Sequence, residues 1–106
     1  MINYNDAEVA LNYLVATDKD AARAKALYEG RYEQRKTIRA IQFLNATGSA
    51  AERTEKANAS AEYQEHLQLI KEAQIDYEIL KNTRDTNVRI TEMWRSVNSN
   101  RNKGNI

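Results

Sequence analysis

The chain contains no proline and only three glycines in 106 residues. Proline removes a backbone donor and clashes inside a helix, and an interior glycine weakens a helix by about 1 kcal/mol. Nothing therefore interrupts helix over stretches far longer than the globular average of about 11–12 residues. The residues that fill those stretches are largely Ala, Glu, Lys, Arg, Gln and Leu, all strong helix formers. Hydrophobic residues make up 42% and charged residues 29%, which separates the chain from disordered sequences of low hydrophobicity and high net charge. The expected class is all-α.

Local signals divide the chain. Asp6 is a candidate cap for a short N-terminal helix over about 7–16, whose apolar surface comes from Val9, Leu11, Tyr13, Leu14 and Val15. Thr17-Asp18 reads as a break and a new N-cap, opening a second helix over 19–46. Thr47-Gly48 stops it, because glycine takes the left-handed conformation that closes helices. Ser49 and Glu52 then form a capping box for a short helical connector ending near Asn58. Ser60 caps a last helix predicted over 61–98. Two long helices joined by a short connector are expected to fold back on each other, giving a long antiparallel helical hairpin. Its apolar stripes are Ala24, Leu27, Ile38, Ile41 and Leu44 on one helix and Tyr63, Leu67, Ile70, Ala73, Tyr77 and Leu80 on the other. Arg31 and Gln34 interrupt the first stripe, and no heptad pattern is clean enough to specify an extended coiled coil. Residues 1–98 read as a single helical domain. Residues 99–106, rich in Asn and Ser, read as a basic, frayed C-terminal tail.

The net charge is only +1, but its sign is segregated. Residues 18–47 carry seven basic against four acidic side chains, residues 49–80 three against seven, and residues 81–106 six against two. A hairpin would set the basic Arg31–Arg39 stretch beside the acidic stretch from Glu62 to Asp76 and leave the basic C-terminal third without a counterpart. Six tyrosines and apolar stripes of unequal length point to a homo-oligomer, most simply a dimer assembling into a four-helix bundle.

The sequence carries no phosphate loop, dinucleotide fingerprint or nucleophile elbow. His66 is the one histidine, with Glu62 one turn before it. A metal site needs three or four ligands, so the expected setting is a partly solvated helix face, with no cofactor and no catalysis. Cysteine is absent, the N-terminus lacks the pattern of a secretory signal, and no window approaches the roughly 20 apolar residues of a membrane span. These features suggest a cytoplasmic protein without a membrane partner. The charged cluster that bears most on function is Arg84, Arg89, Arg95, Arg101 and Lys103 with Trp94 among them, a basic helix end carrying an aromatic that could stack on a base.

One further pattern runs along most of the chain. Ala51-Glu52-Arg53, Ser60-Ala61-Glu62-Tyr63, Tyr77-Glu78-Ile79-Leu80-Lys81-Asn82-Thr83-Arg84 and the closing run from Met93-Trp94-Arg95-Ser96 to Arg101 resemble small proteins of bacteriophages and prophages. That group is associated with the replication and recombination region of phage genomes. The resemblance implies an accessory role in DNA metabolism, in the cytoplasm of a bacterial host. Two functions follow as expectations. The first is contact with single- or double-stranded DNA, or with a DNA–protein intermediate, through Arg84, Arg89, Trp94, Arg95, Arg101 and Lys103. The second is a protein–protein adaptor or structural component that docks a phage or host protein and leaves nucleic acid alone.

Overall fold

In a computed structural model, residues 1–104 are described as to backbone and residues 1–102 as to side chains. The described chain is 92% helical. It contains three helices and no strand among the described residues: α1 (Tyr4–Asn45), α2 (Ala50–Ala59) and α3 (Ala61–Gly104). The all-α class is therefore observed.

The helix boundaries follow chemistry that is partly different from the expected one. Asn3, not Asp6, caps α1. The Asp6 amide donates to Asn3 Oδ1 at 2.9 Å while the Asn3 amide donates to Asp6 Oδ2 at 3.0 Å, a reciprocal box in which Asp6 is the third helical residue. The predicted break at Thr17-Asp18 does not occur, and the short first helix and the long second one are a single 42-residue helix. Thr17 satisfies its hydroxyl inside the helix by donating to Tyr13 O at 2.8 Å. The alanines around it (Ala16, Ala21, Ala22) propagate helix without a cap.

The turn after α1 matches its sequence signals. Gly48 has φ 116°, in the left-handed region that glycine enters without strain. Two cations serve carbonyls at this end: Arg53 Nε donates to Phe43 O in the last turn of α1 at 3.2 Å, and Lys56 Nζ to Thr47 O in the turn at 2.7 Å. Ser49 caps α2, its hydroxyl accepting from the Glu52 amide at 3.2 Å. Ser60 breaks α2 from α3 in an extended conformation, and its hydroxyl accepts from the Tyr63 amide at 3.3 Å. At the other end, α3 continues through Ser99–Gly104, past the Asn98 boundary suggested by the weak helix formers. With no proline present, those residues cost from a few tenths to about 1 kcal/mol each on the propensity scale and do not stop a helix already propagating. The remainder of the expected tail, residues 105–106, lies outside the described residues.

The chain divides into two compact units, one made of Met1–Ala22 with the stretch from Glu78 onward, the other of Arg23–Tyr77. In the first, the rings of Tyr4 and Trp94 meet edge-on at 5.7 Å, and Arg84 reaches Leu14 and Thr17. In the second, Tyr28 stacks on Tyr77 at 5.8 Å, and Arg31 meets Leu69 and His66. Inside each unit the partner number on α3 falls as the number on α1 rises, so the α1 and α3 segments pair antiparallel.

Burial identifies the seam between them. Buried and half-buried positions of α1 include Ala7, Ala10, Leu14, Thr17 and Ala21 in the first unit and Ala24, Tyr28, Arg31, Arg35, Ile38 and Gln42 in the second. On α3 they include Tyr63, His66, Ile70, Ala73 and Tyr77 in the second unit and Leu80, Arg84, Asn87, Thr91, Trp94 and Asn98 in the first. These positions step by three and four in alternation, which is the a/d spacing of a coiled-coil heptad, and Tyr13, Phe43, Leu67, Gln74 and Ile90 are half-buried beside them. This spacing is not the hydrophobic heptad of an extended coiled coil. The repeat is regular, but alanine, threonine, asparagine and arginine occupy many of its positions, so hydrophobicity does not trace it. Counting Ala7, Leu14, Ala21, Tyr28, Arg35 and Gln42 as a positions, Leu27 and Ile41 fall at g and Leu44 at c. These three members of the expected stripe are 50%, 48% and 70% exposed. The core is correspondingly small: among the described residues Ala7, Ala10, Ala57, Ile70, Ala73 and His66 are buried, and no large side chain is fully so.

Candidate interaction surface

The sequence-predicted DNA residues separate into internal and external groups. Arg84 is internal. It sits at an a position, and its Nη1 donates to Leu14 O at 2.8 Å and to Thr17 Oγ1 at 2.5 Å, with Nη2 3.5 Å from Asp18 Oδ1. Trp94 occupies a d position against Tyr4. Arg89, Arg95 and Arg101 are exposed, but they are spaced six residues apart. On a helix of 3.6 residues per turn each is rotated about 120° from the next, so the three point in three directions. Arg101 shares an open hollow of 450 Å³ with Trp94, Tyr4 and Val97, while Arg95 lines a different one with Glu92 and Ser99. The side chain of Lys103 lies outside the described residues.

His66 is buried, not partly solvated as expected. Its Nε2 lies 2.6 Å from Arg31 O, and since a carbonyl only accepts, Nε2 donates. Arg31 returns a hydrogen bond from Nη1 to Leu69 O at 3.1 Å. The pair ties α1 and α3 together in both directions. Among the described residues no group of three or more acidic or histidine side chains could hold a metal.

The basic and acidic stretches lie beside each other inside the Arg23–Tyr77 unit, with Arg31 against His66 and Leu69, but their charges do not pair. Among the described residues, Glu62, Glu65, Glu72 and Asp76 have no ion pair within 4.0 Å, and neither have Lys36 and Arg39. The heptad explains this. Both helices wind the same way, so reversing one sets the e and b positions of both on one side of the pair and the g and c positions on the other. Lys25 and Arg39 are e and Lys36 is b; Glu62 and Asp76 are g and Glu65 and Glu72 are c. The charges lie on opposite flanks of the Arg23–Tyr77 unit.

The acidic flank is also the apolar one. An open groove of 340 Å³ runs between the helices there, lined by Ile38, Ile41 and Gln42 of α1 and Glu62, Glu65, His66 and Leu69 of α3. The basic flank carries aromatic rings. Arg35 lies 3.7 Å over Tyr32, Arg53 lies 4.4 Å over Phe43, and a hollow of 380 Å³ is lined by Lys36, Arg39, Phe43 and Thr54. Sequence reasoning missed both flanks because it took the exposed leucines and isoleucines for the seam. A search for strict three–four spacing with small and polar residues admitted would have found them.

No helix among the described residues is long and apolar enough to cross a membrane. No family model, curated protein or solved structure matches the chain.

Proposed function

We propose that this chain is a non-enzymatic helical adaptor or structural protein that works by docking other proteins on its helix flanks. The hairpin formed by α1 and α3 and its assembly into a larger helical bundle are part of this reading. The observation that carries it is a set of large aliphatic side chains left outside the seam. Ala24, Ala73, Arg31, Arg35, Gln42 and His66 share the seam of the Arg23–Tyr77 unit with Ile38, Ile70 and three tyrosines, while Leu27, Ile41, Leu44 and Leu69, all at least 42% exposed, stand on its outside. Isolated exposed apolar residues are ordinary; several on one flank, rimmed by charge, mark an interaction surface.

Affinity capture with the full chain, with and without nuclease, tests this. The expected result is protein capture that resists nuclease and is lost in a Leu27→Asp/Leu69→Asp variant of unchanged helix content. Capture that vanishes with nuclease, or that the variant retains, would overturn the reading. Contact with DNA through the C-terminal third is the second reading. It is favoured by the exposure of Arg89, Arg95 and Arg101, and with Arg84 and Trp94 engaged internally it has fewer groups to work with.

A further inference from the structure

We propose that the two flanks of the Arg23–Tyr77 unit dock on each other between copies of this chain, the acidic flank of one copy receiving the basic flank of the next. The inference rests on the protein-docking reading and names the partner: a second copy.

Three observations lead to it. The charges on both flanks are unspent. Glu62, Glu65, Glu72 and Asp76 are exposed without ion pairs among the described residues, as are Lys36 and Arg39. Lys25 meets only Glu29, at 4.0 Å, with both side chains more than half exposed, a pair that exchanges readily. The two sets also have the same length. Lys25 to Arg39 and Glu62 to Asp76 each cover fourteen residue steps, about 21 Å along a helix. Finally, each flank has apolar substance besides its charge: Ile41 and Leu69 at the acidic-side groove with exposed Leu27 on the same flank, and Tyr32 and Phe43 on the basic side.

Opposite potentials orient the approach and reject like-charged surfaces, while the apolar side chains supply the area to be covered. A two-helix face from residue 23 to residue 44 measures about 33 Å by 20 Å before side-chain relief. That is on the order of the roughly 800 Å² per partner of a standard interface. A nucleic acid would answer the basic flank alone and leave the acidic, apolar flank uncovered; a second copy answers both. Because the contacting surfaces differ, the interface is heterologous. It continues from copy to copy, closing into a ring or growing as a stack, instead of ending at a two-fold dimer.

Sedimentation velocity on the full chain tests this at two salt concentrations. The screening length falls from about 10 Å at 0.1 M to about 3 Å at 1 M salt. The expected result is species larger than a dimer at the lower salt, with apparent affinity weakened at least tenfold at the higher. Lys36→Glu/Arg39→Glu and Glu65→Lys/Glu72→Lys should each abolish self-association with helix content unchanged. An equimolar mixture should restore it, since one variant keeps a native acidic flank and the other a native basic flank. If a reversal variant loses helix, the neutral pairs Lys36→Gln/Arg39→Gln and Glu65→Gln/Glu72→Gln take its place, each expected to weaken association. A wild-type monomer, a salt-insensitive dimer, or a mixture that stays monomeric would overturn the proposal. So would loss of association confined to the basic-flank variant together with binding of a single-stranded oligonucleotide by that flank. A wild-type monomer that still captures protein after nuclease treatment would refute the second copy while leaving the docking reading intact.

Discussion

Arg84 separates a structural from a DNA-contacting account of the basic C-terminal third. Its guanidinium makes two short hydrogen bonds across the helix pair, to Leu14 O and Thr17 Oγ1, and its side chain is only 20% exposed. Hydrogen bonds from a charged donor contribute about 1.5–3 kcal/mol each where they are well shielded. Here Thr17 keeps its own hydrogen bond to Tyr13 O, so truncation does not strip the hydroxyl of its partners, and the lower end of that range applies to the two together. The ion pair with Asp18 adds little, since that carboxylate is 80% exposed. Arg84→Ala also removes a stem that fills an a position. The expected loss is about 2–3 kcal/mol, a fall in Tm of roughly 10 °C or more for a chain of this size. Arg84→Met keeps most of the stem and should recover part of the loss, and Asp18→Ala should cost less than about 0.5 kcal/mol. Arg89→Ala and Arg95→Ala, at exposed positions, should stay within about 0.5 kcal/mol of wild type. Thermal and urea unfolding followed by circular dichroism, in high salt to suppress association, reads all five. An Arg84→Ala protein that melts with the wild type would refute the argument and return Arg84 to the surface-binding set.

Five further substitutions probe α1, the seam and the turn by the same assay. Gly30 sits inside α1 with open space where a Cβ would lie, so Gly30→Ala should stabilise by about 1 kcal/mol. Gly48→Ala should destabilise by about 1–2 kcal/mol, because φ is positive and the new Cβ would meet the Glu52 carboxylate. Ala10 is 1% exposed, and Ala10→Leu should cost about 1–3 kcal/mol by overpacking, with loss of cooperativity as the telling sign. His66→Ala should cost about 2 kcal/mol, and a double-mutant cycle with Arg31→Ala should show coupling above about 0.5 kcal/mol, since both side chains bridge the same turns.

The elements of this fold were legible wherever a local chemical signal fixes them. Gly48 stops a helix by its own backbone freedom, Ser49 and Ser60 cap by their own hydroxyls, and the lack of proline leaves the long helices intact. Thr17-Asp18 misled because the same hydroxyl that can cap a helix can also bond back into one, and only the preceding carbonyl of Tyr13 decides between them. Arg84 and Trp94 are ambiguous in sequence for a related reason. A cation and an aromatic in a basic stretch suit nucleic acid, but they suit equally well a seam that needs a donor for Leu14 O and a ring against Tyr4.

The seam itself was hidden by a physical substitution that bears on function. A hydrophobic heptad buries its apolar residues between two helices of one chain and leaves charge outside. Here small and hydrogen-bonding residues line the contact: Ala7, Ala10, Ala24 and Ala73 are small enough for close approach, and Arg31, His66 and Arg84 tie side chains to carbonyls across it. Leu27, Ile41, Leu44 and Leu69 are left on the flanks of the Arg23–Tyr77 unit, while Ile38 and Ile70 stay in its seam. The same displacement sorts the charges. Had Lys36 and Arg39 fallen at g and c, they would have met Glu62 and Glu65 within one molecule and neutralised them. At b and e they cannot, and the unit keeps one acidic, apolar flank and one basic, aromatic flank. On the proposed docking reading, it is the exposed apolar and ionic groups of these two flanks that contact with another protein surface covers.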